Sequence, residues 1–111
     1  GNKDNVVYTN ERILEIKKDT ETLVADSVEM ENSVIIPPCF IGENTRINNS
    51  VIGPHVSIGN NCVVDRSVIS KSVIQNRTHI RHANLRNSML GNDVDYQGEK
   101  AEISIGDFSE V

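Results

Sequence analysis

From Val24 onward, aliphatic residues recur every five or six positions, and few folds tolerate that spacing. Written in register, they fall into three interleaved rows. The first is Val24, Ile41, Ile58, Ile74, Leu90 and Ile105, separated by 17, 17, 16, 16 and 15 residues. The second is Met30, Ile47, Val64, Ile80 and Tyr96. The third is Ile35, Ile52, Ile69 and Leu85, with Ile103 as a looser fifth member. Gly follows the aliphatic at Ile41, Ile58, Leu90 and Ile105, and a small residue tends to stand four positions on, as at Thr45, Cys62 and Thr78. The motif is aliphatic-Gly-x-x-small-x, shortened by one residue at some corners.

This period excludes an α-helical core, because apolar positions at helical spacing are missing from residues 24–94. Segments of five or six residues are too short to fold back and pair with one another, so each must pair with its equivalent one period away. Three short strands per period then trace a triangle, and successive coils stack at the strand separation of about 4.8 Å. Each aliphatic points into the prism and rests on its counterpart in the next coil. Small residues fit where two walls converge, and Gly and Asn supply the positive φ that tight corners demand. The expected architecture is a parallel β-helix, a quasi-one-dimensional fold.

Both ends depart from the period. Thr9 or Asn10 is positioned to cap a helix running to about Lys18, with Val6, Val7, Ile13, Leu14 and Ile16 as its apolar stripe. Such a helix is expected to cover an open end of the solenoid or to connect to something upstream. Residues 1–22 are thus a helix and connector, and 23–111 the β-helix. A loop is expected after Asp95, through Gln97–Ala101, then a partial coil from Ile103 to Val111, for about five and a half coils in all.

Composition narrows the function. The net charge is −5, aromatics are 4% and Trp is absent, so neither a basic surface nor a stacking platform for nucleic acid is expected. The charge divides into −4 over residues 1–31, +3 over 32–94 and −4 over 95–111. No apolar run approaches the ~20 residues of a membrane span. Residues 1–12 are polar, without the pattern of a secretory signal, so a cytoplasmic setting is expected. Cys39 and Cys62 are too few for a disulfide framework and are expected to be small buried hydrophobes.

Several runs carry a closer likeness. They are Glu31-Asn-Ser-Val-Ile-Ile-Pro-Pro-Cys-Phe-Ile-Gly-Glu-Asn44, Asn49-Ser-Val-Ile-Gly-Pro-His-Val-Ser-Ile-Gly59, Ala83-Asn-Leu-Arg-Asn-Ser-Met-Leu-Gly91 and Ile103-Ser-Ile-Gly-Asp107. Together they resemble the C-terminal left-handed β-helix domain of sugar-1-phosphate nucleotidyltransferases, such as glucose-1-phosphate thymidylyltransferases and mannose-1-phosphate guanylyltransferases. The segment Asn10–Leu14 resembles the helix that leads into that domain. The resemblance implies a left-handed coil, against the usual crossover rule. It also implies an N-terminal catalytic domain that uses Mg²⁺, while this domain contributes oligomer contacts, an effector site or a second acyltransferase site. No Gly-rich phosphate loop and no strand–helix alternation occur here, so nucleotidyl transfer is not expected from these residues. The chain reads as the C-terminal piece of a longer enzyme, with Gly1 as a tag remnant.

Two other readings stand beside it. Left-handed β-helix proteins include coenzyme A-dependent acyltransferases, which use a His base in a groove between subunits. His55, His79 and His82 are the available bases, and His79 is the one selected, a coenzyme A thioester being the implied cosubstrate. The register puts His79 at a corner, His82 on a strand facing out, and His55 near a corner one coil earlier. No metal site is expected, since His79-x-x-His82 brackets an inward Ile80 and no further ligands complete a set. The third reading is a structural oligomerisation module, a trimer by resemblance. An outward row of Val34, Val51, Val68 and Val73 is the apolar strip proposed to pack around its axis. Arg66, Arg77, Arg81 and Arg86 fall in two adjacent coils, where they would be solvated, receive phosphate, or meet acidic residues of another subunit.

Overall fold

A computed structural model describes residues 2–17 and 24–98. Its first element is α1 (Asn2–Lys17). The first coil contains β1 (Glu29–Glu31), β2 (Val34–Ile35) and β3 (Cys39–Ile41). The second contains β4 (Arg46–Asn48), β5 (Val51–Ile52) and β6 (Val56–Ile58). The third contains β7 (Val63–Asp65), β8 (Val68–Ser70) and β9 (Ser72–Ile74). The fourth contains β10 (His79–Arg81), β11 (Asn84–Arg86) and β12 (Met89–Leu90), and β13 (Asp95–Gln97) opens another. The chain is a left-handed parallel β-helix of about four described turns with one N-terminal helix. The loop after Gly98 and the partial coil from Ile103, with Ile105, lie outside the described residues.

Every strand pairs in parallel with its equivalent one coil away, which gives three sheets: β1-β4-β7-β10-β13, β2-β5-β8-β11 and β3-β6-β9-β12. The registers reproduce the sequence rows. Met30, Ile47, Val64, Ile80 and Tyr96 are successive partners. So are Ile35, Ile52, Ile69 and Leu85. An isolated bridge joins Val24 to Ile41, which continues through Ile58 and Ile74 to Leu90. Ile41, Ile47, Ile52, Ile58, Ile69 and Ile80 are fully buried. Each such side chain contributes roughly 1.5–3 kcal/mol of transfer free energy. Met30 and Tyr96 belong to the same row but sit in the first and last of the described coils and remain partly open to solvent.

The corners are held by side chains that reach between coils. Asn60 and Asn76 Oδ1 accept from the backbone N–H groups of Glu43 and Asn60, and Asn92 Oδ1 from that of Asn76, at 2.8–2.9 Å. At the second corner, Ser33, Ser50 and Ser67 Oγ accept from the N–H groups of Ser50, Ser67 and Ala83. Thr45 Oγ1 donates to Gly59 O and accepts from Cys62 N–H; Thr78 repeats this with Gly91 O and Val94 N–H. These bonds satisfy backbone groups that the short strands leave unpaired.

The glycines correct one expectation. Asn32, Asn44, Asn49, Asn61 and Asn87 do adopt positive φ at corners, but Gly53 is the one glycine that does so among the described residues. Gly42 and Gly59 serve instead as space: a Cβ on either would stand 2.3 Å from the Oδ1 of Asn60 or Asn76. Glycine follows the aliphatic there because the asparagine of the next coil fills its side-chain volume.

The helix corrects two more. It begins at Asn2, so Thr9 and Asn10 are interior rather than capping residues. The Asn10 side chain is taken up by a tertiary contact, its Oδ1 accepting from Ser57 Oγ. Nor does α1 cover an end of the prism. It lies lengthwise on the sheet β3-β6-β9-β12, contacting β6 and β9. Lys3 Nζ reaches Asn87 O in the fourth coil at 2.9 Å, while Glu15 meets His55 in the second. A 16-residue helix is ~24 Å long, close to the ~19 Å of four stacked coils. It therefore runs back along the stack towards the first coil.

Candidate functional site

The three prism faces differ in chemistry. The face β1-β4-β7-β10-β13 presents charge. Along one outward row, Glu29, Arg46, Val63, His79 and Asp95 are register partners; along the other, Glu31, Asn48, Asp65, Arg81 and Gln97. Arg46 pairs with Glu29 at 3.6 Å and Arg81 with Asp95 at 3.3 Å. Both pairs are exposed, so each contributes little to stability.

The face β2-β5-β8-β11 presents valines. Val34, Val51 and Val68 are successive register partners and point outward, with Asn84 next. Val34 is 55% exposed and Val68 49%. Val73 does not join them. It lies on the third face, in the outward row of Phe40, Ser57, Val73 and Met89 that α1 partly covers.

The histidines are dispersed. His79 opens β10, facing outward and exposed beside Asp95 in register. His82 sits at a corner with φ 52°, its N–H donating to Asp65 O. The expected placements of these two are thus exchanged, because corners fall at Arg77 and at His82, and His79 begins the strand between them. His55 is at the corner between the valine and helix faces with φ 64°. Its ring meets α1: Nε2 lies 2.7 Å from Glu15 Oε2 and Nδ1 3.7 Å from Glu11 Oε2. Two carboxylates one helical turn apart thus hold one imidazole, a contact that the sequence spacing Glu11–Glu15 permits but that only folding reveals.

The four arginines also separate. Arg77 makes two bonds to Asp93, at 2.7 and 3.1 Å, and the pairing raises the Arg77 pKa and lowers that of Asp93. Arg66 bonds Asp65 and Arg81 bonds Asp95, while Arg86 is exposed on the valine face. They form no single basic pocket.

Cys39 and Cys62 are free and buried, Cys39 opening β3 beside Val56 and Cys62 in the corner row of Thr45 and Thr78. Their thiols lie against backbone carbonyls, Cys39 Sγ 3.1 Å from Ile36 O and Cys62 Sγ 3.0 Å from Gln75 O. Burial pushes both thiol pKa values up. Among the described residues, no group of three or more His, Cys, Asp or Glu is placed to hold a metal ion. No helix described is long and apolar enough to cross a membrane.

One cavity opens beside α1. It is a groove of about 370 Å³ lined by Asn5, Val6, Thr9, Asn10, Ile13 and Val73. Asn10 Nδ2 is buried there with no hydrogen-bond partner. Of the apolar stripe on α1, Val7 and Leu14 are buried against the solenoid, whereas Val6 and Ile13 are exposed and line this groove.

Compared with known families, residues 19–80, more than half of the chain, match the family model described as GlmU-like, C-terminal hexapeptide. No curated protein matches the chain.

Proposed function

The chain belongs to the GlmU-like C-terminal hexapeptide family, and from that premise we propose that it is the C-terminal domain of a sugar-1-phosphate nucleotidyltransferase. In this reading it serves nucleotide-sugar synthesis by holding copies of the enzyme together, and a separate N-terminal domain, with Mg²⁺, performs the transfer. The observation that carries it is the outward alignment of Val34, Val51 and Val68 on one flat face. A rigid sheet with an apolar row is suited to burial against like sheets around a threefold axis. The two buried free thiols accord with a reducing, cytoplasmic setting.

Light scattering tests the assembly. The expected mass is a multiple of three chains of 12.3 kDa, and Val51→Glu with Val68→Glu should reduce it threefold. An unchanged mass in that variant overturns the assembly role of the valine face. The enzymatic context is tested on the native polypeptide captured by an antibody to this domain. It should be heavier than 12.3 kDa and release pyrophosphate from a nucleoside triphosphate and a sugar-1-phosphate. A native band near 12.3 kDa overturns it.

A second reading, a coenzyme A-dependent acyltransferase, rests on His79 standing in register with Asp95 on the charged face. There a carboxylate next to an imidazole would orient it as a general base.

A further inference from the structure

Between its two corners the valine face carries no carboxylate. The segments that build it, residues 32–38, 49–55, 66–72 and 82–88, contain no Asp or Glu in a chain whose net charge is −5. Its first two coils present Val34, Ile36 and Val51. Its last two present cations, Arg66 and His82 at the corner with the charged face, and Lys71 and Arg86 at the edge with the helix face. One wall thus has an apolar half and a basic half.

Lys71 and Arg86 differ from the other cations of the solenoid. Residues 24–98 contain six Lys and Arg. Arg46, Arg66, Arg77 and Arg81 each meet a carboxylate, at Glu29, Asp65, Asp93 and Asp95 respectively. Among the described residues, Lys71 and Arg86 meet none. They are also neighbours. Ser70 is the register partner of Arg86, and Lys71 follows Ser70. Their strands are one separation of about 4.8 Å apart. Carboxylates that α1 brings to this side are engaged elsewhere, Asp4 by Lys3, and Glu11 and Glu15 by His55.

Assembly through the valine face decides what these two cations meet. Three parallel prisms that each turn one face to a threefold axis touch edge to opposite edge, a heterologous contact. With the axis along the stack, each coil meets the same coil of the next copy. In the first two coils the seam joins Asn32 and Asn49 to Pro37 and Pro54, all uncharged. In the third and fourth it joins Arg66 and His82 of one copy to Lys71 and Arg86 of the next. Asp65 balances Arg66, so each seam closes on two positive charges without a counterion. Like charges brought together and drawn out of water oppose association unless an anion joins them.

We infer that each seam holds a small phosphate-bearing anion between Lys71 and Arg86 of one copy and Arg66 and His82 of its neighbour. The inference rests on assembly through the valine face. Phosphate suits these donors, because a guanidinium grips it through two parallel N–H···O bonds and an ammonium meets it as a point charge. A multivalent anion matches the two charges that the seam leaves. The site is complete only in the assembly, so anion binding and assembly strengthen one another.

Sedimentation equilibrium of the full chain in sodium chloride and in inorganic pyrophosphate, at equal ionic strength, is the test. Pyrophosphate should lower the chain concentration at half-assembly by about tenfold. A third cell with a sugar-1-phosphate tells an esterified phosphate from the inorganic anion by which acts at the lower concentration. Lys71→Asn with Arg86→Gln should abolish the response. Asn suits position 71 because Asn32 and Asn49 hold the same positive φ at other corners. In chloride this variant should assemble more readily than wild type, since the repulsion is gone. An assembly equally stable in every salt keeps the valine-face contact and overturns the anion site. A double variant that assembles more weakly than wild type in chloride also overturns it, since the two cations then pair with carboxylates of the neighbour. A response that persists in the variant marks an adventitious ion only. A chain that stays at 12.3 kDa in every cell overturns the valine-face assembly and the anion site together.

Discussion

The side-chain oxygen of Asn60 occupies the volume that a side chain on Gly42 would need. It stands 2.3 Å from the position of a Cβ there and accepts the N–H of Glu43 at 2.8 Å. Gly42→Ala therefore displaces the asparagine and its bond together. A loss of about 1–3 kcal/mol is expected, the usual cost of overpacking a tight site. Asn60→Ala should cost about 1 kcal/mol for the lost bond. The double variant should lose less than the sum, because the clash with Asn60 disappears while that with the Gly59 backbone, at 2.8 Å, remains. Urea unfolding of the four proteins measures the coupling, and additive losses would refute the space-filling account.

Thr78 is fully buried, and its hydroxyl joins Gly91 O at 2.6 Å to Val94 N–H at 3.2 Å. Thr78→Val keeps the shape and removes both bonds, taking this partner from two half-buried backbone groups. The expected loss is about 1–3 kcal/mol. Thr78→Ser should recover most of it by keeping the hydroxyl. Equal stability of the Val and Ser variants would show that packing alone matters at this corner.

The buried thiols give stability an alkaline limb. Burial raises the pKa of Cys39 and Cys62 in the folded chain, so the folded state holds their protons to higher pH than the unfolded state. Their contribution is complete below the ordinary thiol range and is lost as pH rises above roughly 8.5. Chemical unfolding from pH 7 to 10 should show falling stability. The fall should be shallower in a Cys39→Ala, Cys62→Ala variant. At neutral pH, iodoacetamide should label neither thiol until the chain is unfolded.

The docking of α1 depends on a buried leucine and a corner histidine. Leu14→Ala should cost about 2–5 kcal/mol by opening a cavity under the helix. His55→Ala removes the ring that Glu11 and Glu15 engage while leaving the solenoid rows intact. Limited proteolysis should then cut α1 faster in both variants while residues 24–98 stay resistant. Equal cutting in wild type and His55→Ala would remove the histidine from a docking role.

If the acyltransferase reading is right, His79→Ala should abolish acetyl transfer from a coenzyme A thioester, and His82→Ala should leave it unchanged. The two residues separate cleanly because His79 is on a face and His82 on a corner. Transfer that survives His79→Ala would reject the assignment.

The rows of Ile and Val were legible in the sequence because an aliphatic every five or six residues is a local property with one stable solution. Each strand is too short to pair with its neighbour in the chain, so Ile47 must find Val64 and Val64 must find Ile80. The small corner residues were legible for the same reason, down to Cys62 taking the place of Thr45 and Thr78. What the period cannot encode is any relation between a residue and something outside its own row. The direction of α1 was decided by the match of its length to the stack and by contacts at Ser57, His55 and Asn87, far away in sequence. Gly42 carries its glycine for the sake of Asn60, one coil away, and not for its own backbone angle. His79 and His82 exchanged places because the corner falls two residues after the inward aliphatic in every coil, at Asn49 after Ile47, Arg66 after Val64 and His82 after Ile80. Hydrophobic spacing fixed the interior of this protein; its surface, where any partner must bind, was fixed by which coil ends up beside which.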